Sequence, residues 1–437
     1  MNWTEIYKQK LCSSEEAVSL IKSGDKVVFP LGNGIPVSLL EALAKKSDLE
    51  YVEIYGGLEI FPLKLFNADF LENNPQFRYT SLYCGIFLRE AVKKKIATYL
   101  PVRLAQGPEI VEKDHMIPDV LMLTVSPMDK HGFFSCGGHP DFVYPILRYK
   151  KHRNVIIQVS ENTPRTWGDN HIHISEVDKI VEFTQPLLEL PDMPISPEEE
   201  LIGQYTADMV PDGATIQLGI GGVPSAVARL LKEKKDLGVH SEMLCDAMVE
   251  LYEAGVINNS KKKLKTGKMV GTFALGTRKL YDFIDDNPLV ELHGCTWVNN
   301  PFVIAQNDNV ISINSALEID FTGQVNAESL GNMHYSGTGG FIDFMQGAWY
   351  SKGGKSFITL TSTYTNSQGE VKSRIVPMLP QGATVTGQRA EIQYIVTAYG
   401  VAEIKGRNFK QRAESLINIA HPDFRDELRF ELKKLNI

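Results

Sequence analysis

The sequence predicts an α/β protein made of two similar α/β domains with mainly parallel sheets. Three observations carry that expectation: a repeated strand–turn–helix passage, a proline-rich break between its two copies, and β-branched runs alternating with helical patterns in both halves.

The repeat comes first. Near the N-terminus the chain reads SGDKVVFPLGNGIPVSLLEALAKKSD, and near its middle DGATIQLGIGGVPSAVARLLKEKKD. Each copy is a β-branched strand, a glycine turn and a proline (Pro36 and Pro224), then a helix with a lysine-rich end. The helical stripes are Leu39, Leu40 and Leu43 in one copy, and Val227, Leu230 and Leu231 in the other. The copies align with a single one-residue gap, as an internal duplication would leave them. Between them, FTQPLLELPDMPISPEEE carries Pro186, Pro191, Pro194 and Pro197, a density that neither a helix nor a central strand tolerates. The boundary is therefore expected around 185–198, giving an N-terminal domain over 1–185 and a C-terminal domain over 198–437. The runs VLMLTV, NVIIQV, KMVGTFAL, VISINSA, SFITLT and YIVTA are strand candidates, and KQRAESLINIAHPDFRDELRFELKKLNI gives two helices broken at Pro422.

Composition narrows the function. With 437 residues, 43% hydrophobic and 22% charged, the chain is an ordinary globular protein of about two domains. Its 45 Lys and Arg against 53 Asp and Glu give a net charge of −8, which argues against a nucleic-acid binder. The five cysteines are scattered and form no CxxC pair, a pattern that suits a reducing cytoplasm and offers no cysteine-based zinc site. MNWTEIYKQKLCSSEEAV lacks the apolar core of a signal peptide, and no apolar run reaches the roughly 18 residues of a membrane helix.

Several motifs are candidates for chemistry. GIGGV (Gly219 to Val223) lies between a strand and a helix, where backbone N–H groups can receive an anion. Pro224 replaces the third glycine of a dinucleotide fingerprint, which weakens a dehydrogenase reading, and no P-loop sequence is present. HYSGTGGFIDF brings Gly337, Gly339 and Gly340 together, allowing close backbone approach to a ligand or simply a sharp turn. GFFSCGG around Ser135 has Phe133 where a nucleophile elbow needs glycine. Asp169, His171 and His173 in DNHIH share alternate positions, but an HxH is ordinarily a half-buried strand pair and no metal is expected. The run KKKLKTGK (Lys261 to Lys268) reads as a solvated loop rather than a phosphate site. In VHSEMLCDAMVEL, Glu242 precedes a helix capped by Asp246 and striped by Met248, Leu251 and Tyr252, with Gly255 as its stop. Spacing alone leaves Glu242 a solvated glutamate.

Taken in series, LGIGGVPSAV, HSEMLCDAMVEL, GTFALGT, NNPFVIAQNDNVISINSALEIDFTGQVNAES, YSGTGGFIDF and RAESLINIAHPDFRDEL resemble the acetyl-CoA hydrolase/transferase family, within it the 4-hydroxybutyrate and butyryl-CoA:acetate CoA-transferases. The resemblance runs from about residue 5 to the C-terminus. It implies two similar α/β domains, with the nucleophile and the CoA-binding loops carried by the C-terminal domain, 198–437. It implies that Glu242 is the nucleophile, and that Gly219, Ile220, Gly221, Gly222, Val223, Leu317 and Gly340 contact CoA, partly through backbone amides. Relatives usually carry a glutamate in VTEYGVA where this chain has Ala398, which puts only a local contact or substrate preference in doubt.

The implied chemistry is ping-pong transfer through a glutamyl-CoA thioester. It needs neither metal nor permanent cofactor, and CoA enters as substrate. The implied partners are an acyl-CoA and a short-chain carboxylic acid, with a homo-oligomer, a dimer, as the assembly. An acyl-CoA hydrolase stays open, because exclusion of water is a property of packing. A non-catalytic acyl-CoA or nucleotide-binding protein using the same loops is the alternative from another class.

Overall fold

The computed structural model describes residues 2–435 apart from 192–193 and 220, so Ile220 and the middle of the proline-rich break lie outside the described residues. The chain divides into two compact units. The first holds 1–190, 242–245 and 270–299; the second holds 191–241, 246–269 and 300–437. Glu242, expected in the C-terminal domain, packs within the first unit instead, because the strand it leads into pairs with Phe273–Ala274 of that unit.

The first unit is built on a seven-stranded sheet. Its strands are β1 (Lys26–Val28), β2 (Val52–Gly56), β3 (Phe77–Ser81), β4 (Thr98–Tyr99), β5 (Val120–Val125), β6 (Asn154–Val159) and β7 (Lys179–Glu182), in the spatial order β4-β3-β2-β1-β5-β6-β7. Every pair is parallel. Alternate residues of β5 enter opposite clusters: Val120 and Met122 join Val27, Phe29 and Ile54, while Leu121 and Leu123 join Val28, Val155 and Ile157. The sheet is therefore buried on both faces, which explains why its strands are continuous apolar runs. Helix α1 (Val37–Ala44) buries the stripe Leu39, Leu40 and Leu43, and α2 (Val143–Tyr149) buries Val143, Ile146 and Leu147.

The second unit repeats this plan. Strands β8 (Thr215–Leu218), β9 (Gly238–Val239), β10 (Val310–Ser315), β11 (Lys355–Thr359), β12 (Tyr394–Thr397) and β13 (Gly400–Glu403) lie in the order β9-β8-β10-β11-β12-β13. Only the hairpin β12–β13, with Ala398 at its turn, is antiparallel. The run β9-β8-β10-β11-β12 matches β2-β1-β5-β6-β7 strand for strand, so the duplication read from two short passages extends through five strands of each sheet. Helix α3 (Pro197–Asp208) opens with a capping box between Ser196 and Glu199 and has Pro197 at its start, a sharp beginning for this segment. It packs on α4 (Gly222–Leu230). Helix α5 (Asp246–Glu253) begins at the aspartate expected to cap it and stops before Gly255, whose φ is +76°. Helix α6 (Phe341–Tyr350) follows the second glycine loop, and α7 (Phe409–Asn418) and α8 (Pro422–Lys434) form the tail, broken at Pro422 as expected.

Candidate active site

Glu242 sits just ahead of a two-residue strand, Met243–Leu244, which pairs in parallel with Phe273–Ala274. Its carbonyl oxygen accepts the N–H groups of Thr272 (2.9 Å) and Phe273 (3.1 Å). The half-buried side chain is held as well: Asn299 donates Nδ2–H to Oε2 at 2.5 Å. Asn299 is buried at the end of a one-turn helix, Cys295–Val298. Backbone and carboxylate are thus fixed by different segments, and a small apolar cluster of Met243, Phe273 and Leu275 lies alongside, lined by Leu58, Ile60 and Cys245. A carboxylate oriented by a short amide bond is suitably arranged for nucleophilic attack.

Behind this strand pair the chain is clamped again. Ala274 donates its N–H to the carbonyl of Gly138, and Asp141 donates its own to Thr272. The Thr272 hydroxyl donates to the carbonyl of His293 at 2.8 Å. The imidazole of His139 lies flat against Phe273, with ring centres 5.9 Å apart, under the turn Gly32–Gly34. Asp141 and His139 are both buried, 3.8 Å apart between Oδ2 and Nδ1. Burial pushes the Asp141 carboxyl up to about 7 and the His139 imidazole down to about 3.

The second unit gathers the residues expected to meet CoA at the carboxyl ends of adjacent parallel strands. Gly219 follows β8, Gly221 to Val223 lead into α4, and Leu317 follows β10. The strand order reverses between these two, and the crevice outside such a reversal is where open α/β sheets take ligands. Gly340 begins α6, which packs on β10 and β11. His240, of the same motif as Glu242, directs its buried ring edge-on to Phe344 of that helix, with centres 6.2 Å apart.

The backbone bonds sort these residues further. The Gly219 N–H is taken by Ile313 and the Leu317 N–H by Asn326, while Arg374 donates to the Leu317 carbonyl. Those two amides are committed to the fold, leaving Leu317 its half-buried side chain for any contact. Val223 is buried in the core. Gly221, at φ +127°, has nothing within reach of where a Cβ would be, and α4 starts at Gly222, so the helix's first N–H groups have no intrahelical acceptor.

Two other motifs resolve into structure. His171–His173 pairs antiparallel with Phe133–Ser135, and the His173 Nδ1 bonds the Ser175 hydroxyl at 2.7 Å. Among the described residues, no group of three His, Cys, Asp or Glu is placed to hold a metal ion. In KKKLKTGK one lysine turns inward: the buried Lys262 Nζ donates to the carbonyls of Val239 and Lys268, each at 2.7 Å. Spacing offers no signal for Asn299, Thr272 or Asp141, although the first two lie in motifs that carry the family resemblance.

Comparison with known proteins agrees with this architecture. Residues 1–189 match the acetyl-CoA hydrolase/transferase N-terminal domain and residues 276–432 the C-terminal domain of the same name. The chain is 46% identical to the 4-hydroxybutyrate coenzyme A transferase of Clostridium kluyveri over 99% of its own length and 100% of that protein's. It is 41% identical to the butyryl-CoA:acetate CoA-transferase of Anaerostipes caccae, covering 100% and 99%. The crystal structure of RipA from Yersinia pestis superimposes with a TM-score of 0.92 at 38% identity, covering 99% of each chain.

Proposed function

Since this chain belongs to the acetyl-CoA hydrolase/transferase family, we propose that Glu242 is the nucleophile with which it moves CoA between a short-chain acyl-CoA and a carboxylic acid. The protein is a CoA-transferase, and CoA is its substrate rather than a resident cofactor. Our reading of the substrates is butyryl-CoA or 4-hydroxybutyryl-CoA as donor and acetate as acceptor, acting in a cytoplasmic homodimer.

The reaction follows from what a carboxylate can do. Glu242 attacks the thioester carbonyl and expels CoA thiolate, leaving an acyl-glutamyl anhydride. The thiolate then attacks the glutamyl carbonyl, releasing the first acid and leaving CoA bound to Glu242 as a thioester. An acceptor carboxylate reverses both steps. No intermediate loses its activation, so no external energy source is consumed. The observation that carries this reading is the bond from Asn299 to the Glu242 carboxylate, together with the two N–H groups on the Glu242 carbonyl: the attacking group is oriented before substrate arrives. For CoA we assign Gly219, Ile220, Gly221, Gly222, Val223, Leu317 and Gly340, with the amides at the start of α4 as the donors best placed for an anionic group.

Borohydride trapping tests the proposal. Protein incubated with butyryl-CoA and then reduced should yield a peptide in which Glu242 has become the alcohol. In a parallel unreduced sample, added acetate should produce acetyl-CoA. Release of CoA at a rate indifferent to acetate would instead mark a hydrolase. Glu242→Ala should lower exchange by about 10³-fold or more while CoA still binds; turnover near the native rate with an unmodified peptide would remove Glu242 from the chemistry.

A further inference from the structure

The supports of Glu242 lead back to a single buried carboxyl group. Asp141 accepts the N–H of Leu31 on Oδ2 (2.9 Å), and those of Phe142 (2.6 Å) and Val143 (3.3 Å) on Oδ1, tying the turn after β1 to the first turn of α2. Its own peptide groups reach further. The Asp141 N–H donates to the carbonyl of Thr272 (3.2 Å), and the Asp141 carbonyl accepts the N–H of Cys295 (2.9 Å). Each of these bonds continues to Glu242 by a separate route. Thr272 donates to the Glu242 carbonyl; Cys295 opens the one-turn helix after which Asn299 donates to the Glu242 carboxylate.

We propose that Asp141 is a positioning residue for the transfer reaction, holding the backbone of Glu242 through Thr272 and its carboxylate through Asn299. The inference rests on Glu242 being the nucleophile. With both routes anchored at one residue, the attacking oxygen has a fixed direction, and near-attack geometry of this kind is where small displacements cost large factors in rate. The site also punishes replacement. An asparagine keeps the shape but turns an NH₂ toward an N–H donor of Leu31 or Phe142, so one of the two bonds is lost and donor faces donor. The peptide of residue 141 then shifts, and both routes shift with it.

The test is a double-mutant cycle on folded enzyme, read by single-turnover formation of the Glu242 thioester from butyryl-CoA, with thermal melts to confirm folding. Asp141→Asn and Asn299→Ala should each slow thioester formation by about tenfold or more while KM for butyryl-CoA changes by less than about twofold. In the Asn299→Ala background, Asp141→Asn should cost at least about threefold less than it does alone, because one of its two routes is already cut. If the effects multiply in full, or if Asp141→Asn reacts at the native rate, the proposal is overturned. Should the asparagine variant fail to fold, Asp141→Ser serves in its place: its hydroxyl still accepts from Phe142 or Val143 but falls short of Leu31, and the same non-multiplicative pattern is expected. Glu242→Gln separates the two hypotheses. If it retains turnover, the nucleophile reading fails; if it is inactive while Asp141→Asn is native in rate, only the role of Asp141 fails.

Discussion

One strand–turn–helix passage has two outcomes in this chain. In the second unit the turn after β8 leaves Gly221 facing open space, and α4 starts with N–H groups that have no intrahelical acceptor. In the first unit the turn after β1 is filled from within. The His139 ring lies beneath Gly32 and Gly34, the Asn33 side chain is bonded to both peptide groups of Leu188 and to the Tyr281 hydroxyl, and Leu31 gives its N–H to Asp141. Strand order reverses beside both turns, so both are places where an α/β sheet takes a ligand. In the first, the protein's own carboxyl group takes the position in which an anion would be received. On the CoA assignment proposed above, one copy would keep its turn for a substrate, while the other uses the same turn to brace the strand pair behind Glu242.

The largest effects that can break this comparison are at the glycines. A Cβ on Gly34 would come within 2.7 Å of both the His139 and Pro30 Cβ atoms, none of which can swing aside. Gly34→Ala should therefore cost about 1–3 kcal/mol of stability, seen as a lower melting temperature, with KM for acyl-CoA unchanged. At Gly222 the added methyl would meet only the end of the Glu199 side chain, which can move at the expense of its capping bonds to Ser196. Gly222→Ala should lose about 1 kcal/mol or less and raise KM for acyl-CoA instead. Were Gly34→Ala to weaken substrate binding and leave the melt alone, the first turn would be a ligand site after all.

A middle-sized effect tests how the first turn is filled, by pH. The folded chain refuses a proton at His139 until about pH 3, whereas an ordinary imidazole takes one near 6.5, so this group costs stability as pH falls below 6.5. Asp141 acts in the opposite sense: folded, it keeps its proton up to about pH 7 while the unfolded carboxyl releases it near 3.8, so stability is lost as pH rises between those values. From about pH 4 to 6.5 each state holds one proton between the two groups, and their contributions cancel. Asp141→Asn removes one side of the balance. The variant should lose stability on acidification from pH 7 to 5, by up to about 1.4 kcal/mol per pH unit more than the native protein. Parallel melting curves for the two proteins across that range would show that His139 is not the buried neutral group described.

What the sequence revealed differs between fold and site for the same reason. The strands VLMLTV and NVIIQV, the paired turns, and the tail break at Pro422 are written in neighbouring residues, so periodicity and turn chemistry suffice to find them. The support of Glu242 is written across the chain. Asn299 and Asp141 reach it through bonds between segments far apart in sequence, and GGHPDF by itself is only a turn. Glu242 stands out through its motif, and its partners are visible only once the chain is folded. Leu317 shows the reverse: its motif singles it out, while its amide is already used by Asn326.

The smallest effect is at Lys263, where the comparison narrows to neighbouring residues. Lys263 is solvent-exposed and pairs with Asp308 at 2.8 Å, an arrangement worth about 0–1 kcal/mol because water screens it. Lys262, next to it, is buried with its ammonium on the carbonyls of Val239 and Lys268. Val239 closes β9, three residues ahead of Glu242, so this lysine fixes the strand from which the Glu242 segment departs. Lys263→Ala should leave both the melting temperature and KM for acyl-CoA nearly unchanged. Lys262→Met keeps the apolar stem but takes the ammonium from one buried and one part-buried carbonyl, costing about 1–3 kcal/mol. A rise in KM on Lys263→Ala, growing weaker at high salt, would instead make the run an electrostatic contact for the phosphates of CoA.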